Sequence, residues 1–208
     1  MTRLSDDDIA SNLKPYGVIG TPPMCEQIRA YVSLLLQWNL KISLTTVTDP
    51  SEIVKFHFGE SMFAASSVPI ISGRLADIGS GPGFPGLPIR MVATELDLTL
   101  IESNTKKATF LSEVVRTIKL DHVTVLRARM EDIGADIVPF DFVTARAFGQ
   151  HDELLRWAHA HLAPNGKIVL WLGEDDAALL SQEPLWSWNQ LLHIPGSQRR
   201  CLLVGSPL

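Results

Sequence analysis

Glycines and prolines alternate through a short segment whose spacing suits the binding of a nucleoside cofactor. The segment runs from Gly79 to Gly86 as Gly-Ser-Gly-Pro-Gly-Phe-Pro-Gly, and it ends an apolar run from Arg74 that has the signature of a buried strand. Doubly wound folds bind ligands at the carboxyl end of the first strand, where glycines let the backbone approach the ligand closely. Gly81, Gly83 and Gly86 match the G-x-G-x-x-G pattern, which also suits a dinucleotide.

Acids and prolines around this segment favour S-adenosylmethionine over NAD(P). Asp77 stands at the strand end, where a carboxylate suits a cationic amino-acid group and would repel a pyrophosphate. Prolines within and just after the loop remove backbone N–H donors that a phosphate cradle would need: Pro82, Pro85 and Pro88. Glu102, at the end of the second strand, is placed to accept both ribose hydroxyls, a demand that the two cofactors share. A plain turn, with aspartate and glycine serving backbone geometry only, is the alternative that the second acid disfavours.

The elements that must position these residues divide the chain in two. Residues 1–70 predict an N-terminal helical extension, with helices beginning at Thr21-Pro22-Pro23 and Asp49-Pro50, where a capping residue precedes proline. Residues 71–208 predict a Rossmann-like α/β domain with a mostly parallel, doubly wound sheet, because strand and helix patterns alternate. The later predicted strands are Leu96 to Ile101, Val123 to Leu126, Phe142 to Thr144 and Ile168 to Leu172, and the predicted helices are Lys106 to Leu120 and Asp152 to Leu162.

The end of the chain predicts a turn and a hairpin. Ala163-Pro164-Asn165-Gly166 is typical of a turn that ends the preceding helix. Trp188 to Ile194 and Arg199 to Val204 flank Pro195-Gly196-Ser197, which predicts a hairpin with an antiparallel C-terminal edge strand.

Composition excludes several classes of protein. The chain has 208 residues, 46% hydrophobic and 20% charged, which suits one folded α/β domain with an extension and disfavours disorder. The net charge of -5 does not indicate a nucleic-acid-binding protein. Residues 101–130, however, contain six basic and three acidic side chains, so one edge of the protein is expected to be positive. Cys25 and Cys201 are too few for a metal or redox motif, and no metal is expected. Without a signal peptide or membrane-length apolar run, we expect a cytoplasmic, monomeric protein.

Several further motifs accompany the glycine segment. The most specific is Gly-Phe-Pro-Gly followed at a distance by Arg146-Ala-Phe148. The others are Trp38-Asn39 with Leu44-Thr45 and Asp49-Pro50, His57 with Ser61, Lys106-Lys107 before Phe110-Leu111, and Leu162-Ala-Pro-Asn-Gly166. On these motifs the chain, over nearly its whole length, resembles the glucose-inhibited division protein B family, the small-subunit ribosomal RNA guanine-N7 methyltransferases.

The resemblance implies a Rossmann-like domain with an N-terminal helical extension, acting on a guanine near the ribosomal decoding site, in free RNA or in an assembled particle. It also implies cofactor contacts at Gly79, Phe84, Met130, Glu131 and Arg146. Three positions depart from the family pattern. Ser43 replaces an asparagine, Glu60 replaces an aspartate and Leu172 stands where a lysine is usual, so Arg199 or Arg200 is expected to supply the missing charge.

The chemistry of guanine N7 agrees with the residues present. N7 carries a free lone pair, so methyl transfer to it needs positioning and no general base. Arg146 is predicted to link cofactor and substrate, the alternative being a structural ion pair with Asp141 or Asp152. Lys106 and Lys107 are predicted phosphate contacts, or else solvated residues at a helix start.

Two aromatic residues and two broader functions complete the set of predictions. His57 and Phe148 are candidate substrate contacts, or else core residues. A methyltransferase of a small molecule or protein, and an NAD(P)-binding module, are the alternative functions that the sequence leaves open.

Overall fold

Within residues 4–134 and 136–208, which the computed structural model describes, helices surround a seven-stranded sheet. The α-helices are α1 (Asp6–Leu13), α2 (Pro22–Asn39), α3 (Pro50–Ile53), α4 (Glu60–Ser67), α5 (Gly86–Val92), α6 (Thr105–Thr117), α7 (His151–His161) and α8 (Glu174–Leu180). The strands are β1 (Ser72–Ile78), β2 (Glu95–Ile101), β3 (Val123–Leu126), β4 (Phe140–Arg146), β5 (Leu162–Gly173), β6 (Trp186–His193) and β7 (Arg200–Pro207). Single 3-10 turns cover Lys14–Tyr16 and Met130–Asp132, and Val54–Gly59 forms a π-helical segment between α3 and α4.

The sheet has the order β3-β2-β1-β4-β5-β7-β6, and its first five strands run parallel. β7 runs antiparallel to both β5 and β6. The predicted fold class is therefore confirmed. The predicted edge position of the last strand is wrong, because β7 lies between β5 and β6, and β6 forms the edge. The strand order reverses between β1 and β4, so the loops that follow these two strands border the crevice where doubly wound folds bind ligands.

Helix starts agree with the predicted caps, with one difference. The Asp49 carboxylate accepts a hydrogen bond from the Glu52 backbone N–H at 2.9 Å, as a capping acid should. Thr21 precedes α2 as predicted, but its hydroxyl makes no capping hydrogen bond. Pro22 at the first helical position has no N–H, which removes one of the donors that a cap would satisfy.

The predicted turn at residues 163–166 is wrong, because these residues lie within β5. The pairing of β4 with β5 passes from Phe140 opposite Leu162 to Phe142 opposite Lys167, so additional residues of β5 bulge out of the ladder. Asn165 within the bulge has a φ of 65°, a left-handed conformation that asparagine tolerates better than most residues. The turn residues thus form an irregularity inside a strand.

The N-terminal helices and the sheet share one hydrophobic core. Tyr31 of α2 stacks on Phe84 of the glycine segment, with ring centroids 5.3 Å apart, and packs edge-to-face on Phe58 at 5.1 Å. The same buried cluster continues through α5 and α6 to β2, whereas a second cluster covers the opposite face beneath α7 and α8. The helical extension therefore packs directly against the glycine segment that follows β1. No helix in the described part of the chain has the length and apolar character needed to cross a membrane.

Candidate functional site

The segment after β1 forms a glycine loop, residues 79–86, that requires left-handed backbone at several positions. Gly79, Gly81 and Gly83 have φ values of 63°, 55° and 94°. A side chain at Gly79 would meet the ring of Phe148 at 3.0 Å, and one at Gly83 would meet the Tyr31 hydroxyl at 2.3 Å. Glycine is therefore demanded both by conformation and by close packing.

Asp77 is buried beneath this loop and holds it. One carboxylate oxygen accepts a hydrogen bond from the Gly86 N–H at 3.2 Å, and the other accepts from the Thr144 hydroxyl at 2.9 Å. Burial raises the pKa of Asp77 to about 7, although these hydrogen bonds favour the charged form. The structure thus gives Asp77 contacts with its own loop and with β4, and its predicted contact with a cationic cofactor group stays a prediction.

Glu102, at the end of β2, engages the same loop from the other side. Its carboxylate accepts hydrogen bonds from the Gly81 N–H at 2.9 Å and from the Asn104 N–H at 2.7 Å. Each carboxylate oxygen has a second lone pair, so Glu102 retains the capacity to accept hydroxyl groups. This geometry suits the predicted role at a ribose and also orders the loop in advance.

A cavity of about 210 Å³ opens beside the loop, and we call it the glycine-loop cavity. It joins residues from the ends of β1 and β2 with the segment after β3 and the loop after β4. The predicted site residues in its lining are Gly79, Met130, Glu131 and Phe148, and Ser103 and Gln150 add polar groups. Four predicted residues from distant parts of the sequence therefore meet at one cavity.

Phe84, a residue of the glycine loop, stacks on His57. Phe84 is buried between Tyr31 and His57, and its ring centroid lies 4.9 Å from that of His57. His57 is 2.7 Å from the Thr45 hydroxyl. Burial lowers the pKa of His57 to about 4, and the charges of Arg146 and Arg200 act in the same direction. His57 is thus a half-buried, neutral imidazole that stacks on Phe84 of the loop, and its predicted contact with substrate stays a prediction.

The chain turns sharply after β4. Ala147 has a φ of 53°, an uncommon conformation for a residue with a side chain. The turn separates its neighbours, so that Phe148 packs over Gly79 while Arg146 reaches the N-terminal helices. Backbone in sparsely populated conformations is concentrated at functional sites, which agrees with the place of this turn at the crevice.

Arg146 belongs to a three-residue charge cluster with Glu60 and Arg200. Glu60, which is only 1% exposed, lies 3.0 Å from Arg146 Nη2 through one oxygen and 2.8 Å from Arg200 Nη2 through the other. Two guanidinium groups face one carboxylate, and Arg146 Nη1 is buried without a hydrogen-bond partner among the described residues. Burial raises the pKa of Glu60, and the arginines oppose that shift. The cluster therefore carries excess positive charge and an unused donor, and Glu60 Oε1, although it faces Arg200, makes no hydrogen bond among the described residues.

The π-helical segment helps to build this cluster. Its Phe56 carbonyl accepts a hydrogen bond from Arg146 Nη2 at 3.0 Å, and the Arg200 guanidinium lies 5.3 Å from the centre of the Phe56 ring. Trp171 of β5 donates its indole N–H to the Glu60 carbonyl at 3.0 Å. π-helical turns are frequent at functional sites because they break the regular hydrogen-bond ladder. Here the segment offers a backbone carbonyl to an arginine.

A second cavity, of about 370 Å³, lies beside the charge cluster, and we call it the arginine cavity. Its lining combines charged side chains with apolar walls, namely Glu60, Arg146, Phe148, Trp171, Leu172, Asp176 and Arg200 among others. Phe148 lines both this cavity and the glycine-loop cavity, so the two spaces adjoin at one aromatic ring.

The predicted substrate residues fall into separate places. Arg146, Phe148 and Arg200 line the arginine cavity. In the pairing of β5 with β7, Arg200 lies opposite Gly173, the residue that follows Leu172. Lys106 and Lys107 lie at the start of α6, where the Asn104 side chain accepts hydrogen bonds from both of their backbone N–H groups. The alternative ion pair of Arg146 with Asp141 or Asp152 is wrong in its partner, because Arg146 pairs with Glu60.

Sequence reasoning missed four contributors: Tyr31, Glu60 as a partner of arginines, Ala147 and Asp176. Glu60 was visible only as a departure from a family pattern, since its partner Arg146 is 86 positions away. Tyr31, whose hydroxyl donates to the Pro82 carbonyl, looked like any apolar position of an amphipathic helix. No group of three or more candidate metal ligands occurs among the described residues.

Comparisons with solved structures support the fold. The ribosomal protein L11 methylase of Lactobacillus delbrueckii subsp. bulgaricus aligns with a TM-score of 0.62 at 13% identity, covering 74% of this chain and 79% of the other. The glycopeptide N-methyltransferase MtfA, in a crystal structure with S-adenosyl-L-methionine, aligns with a TM-score of 0.62 at 13% identity, covering 73% and 87%.

Comparisons of sequence go further. The family model described as GidB, rRNA small subunit methyltransferase G, matches residues 24–195. Ribosomal RNA small subunit methyltransferase G of Escherichia fergusonii is 37% identical over 204 residues, covering 96% of this chain and 97% of the relative. The enzyme of the same name from Escherichia coli strain SMS-3-5 is 34% identical over 187 residues, covering 88% of each chain. The resemblance drawn from the motifs is thereby confirmed, and the chain belongs to the GidB family of rRNA small subunit methyltransferases.

Proposed function

We propose that this protein transfers the methyl group of S-adenosylmethionine to N7 of a guanine in small-subunit ribosomal RNA. The observation that carries the proposal is the pair of adjoining cavities, one built on the glycine loop and one on the arginines, with Phe148 lining both. Family membership supplies the reaction class and the kind of RNA. We also propose that the protein acts in the cytoplasm, where that RNA is found, and that it acts as a monomer.

The glycine-loop cavity fits the cofactor by its chemistry. Gly79 and Gly81 let a ligand approach the backbone, and Glu102 can accept ribose hydroxyls. Met130 and Glu131 line the part of the cavity that follows β3, where we place the adenine. When bound, S-adenosylmethionine supplies an electrophilic methyl group on a sulfonium.

The arginine cavity fits an RNA base and its phosphate. Arg146 and Arg200 offer guanidinium groups that can bind phosphate or stack on a base, and Phe148 offers an aromatic face. During transfer the methyl–sulfur bond breaks as the methyl–N7 bond forms, and the positive charge moves from sulfur to the purine. Since N7 has no proton to lose, the residues of this chain have only to align the two reactants.

Arg200 lies where it could replace the charge of the lysine that the family usually has at the position of Leu172. Gly173 pairs with Arg200 across the sheet, so a guanidinium stands beside the position where the family usually has lysine. Arg200 is 43% exposed, which leaves it accessible to a polyanion. We therefore assign to Arg200, on β7, the charge that Leu172 lacks on β5.

The direct test is methylation of small ribosomal subunits, or their naked RNA, from cells that lack this gene. We expect incorporation of labelled methyl at one guanine, detected by strand cleavage specific for 7-methylguanosine. Arg146→Ala should lower kcat/KM by about a hundredfold or more, as loss of a charged contact does. Arg156→Ala, on the exposed side of α7, should stay within about twofold.

Two results would overturn the proposal. One is an RNA product in which no guanine becomes sensitive to 7-methylguanosine cleavage. The other is methylation of a small molecule or a protein at a rate that neither added RNA nor salt changes, since phosphate contacts impose a salt dependence. The second result would favour the alternative methyltransferase function.

A further inference from the structure

The arginine cavity contains one feature that the proposed reaction has not used. Two carboxylates, Glu60 and Asp176, occur among its described lining residues. Glu60 is buried, and its two oxygens lie 3.0 Å from Arg146 and 2.8 Å from Arg200, although Oε1 makes no hydrogen bond among the described residues. Asp176 is exposed in the first turn of α8 and forms no ion pair or hydrogen bond within residues 4–134 and 136–208. A carboxylate that could accept hydrogen bonds from a ligand is therefore available at the cavity.

The cavity has the size and walls of a pocket for one base. Its volume of about 370 Å³ lies at the lower end of the range for small-ligand sites. Phe148 gives an aromatic face at the border with the glycine-loop cavity, and Trp171 and Ile194 give apolar surface elsewhere. Enzymes that modify a base commonly take it out of the stack, hold it between such side chains and read its Watson–Crick edge.

Guanine presents that edge in a form that suits a carboxylate. Its N1–H and N2 amino group are neighbouring donors, and together they can bind the two oxygens of one carboxylate. Adenine instead presents a lone pair at N1, which a carboxylate repels. N7 lies on the other side of the purine, so a base held by its Watson–Crick edge leaves N7 free to face the methyl group.

The charge that develops during transfer strengthens this contact. As N7 gains the methyl group, the purine becomes cationic and its N1–H becomes a better donor. A carboxylate at that edge therefore binds the transition state more strongly than the neutral guanine. The contact would raise kcat as well as affinity.

We propose that Asp176 binds N1–H and the N2 amino group of the acceptor guanine in the arginine cavity, and so selects guanine over adenine. This inference depends on the proposed function, since it names the residue that reads the base. Asp176 is exposed and forms no hydrogen bond or ion pair within the described residues, so its replacement should leave the fold intact. The adjacent Asp175 is also exposed and lies outside the cavity lining, which makes it the matched control.

The first experiment compares Asp176→Ala and Asp175→Ala on small ribosomal subunits. Asp176→Ala should lower kcat/KM by about 10 to 100-fold, the effect of losing charge-assisted hydrogen bonds to the transition state. Asp175→Ala should stay within about twofold. Calorimetry with S-adenosylhomocysteine should give the same affinity for both variants as for the wild type, because the glycine-loop cavity is unchanged.

The second experiment identifies the atoms involved. Small-subunit RNA carrying inosine at the methylated position keeps N7 and N1–H but lacks the N2 amino group. Wild-type kcat/KM should fall on this RNA, whereas Asp176→Ala should lose little more, since its partner for that amino group is already absent. Equal losses from inosine in both proteins, or full activity of Asp176→Ala on guanine, would overturn the inference. In either case wild-type activity on guanine would leave the proposed function standing, and its absence would refute that function separately.

Discussion

The two sides of the crevice differ in the groups that contact their buried carboxylates. On the glycine-loop side, Asp77 and Glu102 accept hydrogen bonds from backbone N–H groups of the loop or its neighbours. On the arginine side, Glu60 is held by the side chains of Arg146 and Arg200, and one guanidinium nitrogen has no partner in the described structure. The first side is complete by itself, whereas the second has spare positive charge.

This difference suggests that the glycine-loop side is built to be rigid and that the arginine side is built to recognise a ligand. A loop whose acids are satisfied by its own backbone is ordered before a ligand arrives, which suits a cofactor that must be held in one geometry. A buried donor without a partner is unfavourable in the free protein. A polyanion that binds beside it can accept its hydrogen bond, which favours binding. The comparison predicts that mutations on the two sides will fail differently.

The largest effect is expected at Glu60. Glu60→Ala removes the one carboxylate that pairs with Arg146 and Arg200 within residues 4–134 and 136–208, and it should lower the free energy of unfolding by about 3 to 5 kcal/mol, because an unpaired charge remains buried. Urea denaturation followed by circular dichroism measures this loss. Glu52→Ala, at an exposed position of α3, is the control and should cost under about 0.5 kcal/mol. Equal losses in the two variants would show that the cluster contributes nothing to the fold.

Asp77 should show its effect through pH. Its pKa is about 7 in the folded protein, against an ordinary value of 3.8, so between these two values the folded state holds a proton that the unfolded state has lost. Stability from this group is therefore greatest below pH 4 and is lost as pH rises to about 7, by up to about 4 kcal/mol. His57, with a pKa lowered to about 4, changes stability in the opposite direction over part of this range.

A difference between two proteins isolates Asp77 from His57. Asp77→Asn can still accept from the Gly86 N–H and can donate to the Thr144 hydroxyl, so it keeps the contacts without the charge. Its stability relative to the wild type should rise between pH 5 and pH 8, as measured by urea denaturation at each pH. A constant difference across that range would contradict a raised pKa for Asp77.

Two glycines of the loop should differ by about 2 kcal/mol. Gly83→Ala combines a left-handed φ with contacts of 2.3 Å to the Tyr31 hydroxyl and 2.6 Å to Leu87. Gly81→Ala has a left-handed φ alone, because its nearest neighbour would be 3.7 Å away. Thermal and urea unfolding of both variants give the comparison. Equal losses would mean that α2 does not constrain the loop.

Much of the glycine-loop side could be predicted from the sequence, because its signals are local. Asp77 and the glycines lie within ten residues of one another, and Glu102 ends the next predicted strand. The direction in which the Asp77 carboxylate points could not be predicted, since it depends on Thr144 of β4. Local patterns fix which residues reach the crevice and leave open what each one contacts.

The arginine side could be predicted only in part, because it is assembled from distant segments. Arg146 and Arg200 were found through a resemblance and a missing charge. The same resemblance showed Glu60 only as a replaced aspartate and gave no sign that it pairs with these arginines. The π-helical segment around Phe56 gives no sequence signal of its own within an ordinary amphipathic pattern. The strand bulge at residues 163–166 was misread for a similar reason, since Pro-Asn-Gly is typical of turns and of bulges alike.

The smallest effect is expected at Lys106 and Lys107, which lie outside the lining of the arginine cavity. Both lie at the start of α6, and Lys106 is exposed. If they contact phosphates, each change to alanine should weaken RNA binding a few-fold and reduce the salt slope of binding by about 1. Binding of small-subunit RNA measured from about 50 to 200 mM salt gives that slope. Lys41→Ala, at an exposed lysine before α3, should leave the slope unchanged. A slope that none of the three variants alters would confine the RNA contacts to the arginine side, and Arg200→Ala would then have to account for most of the salt dependence.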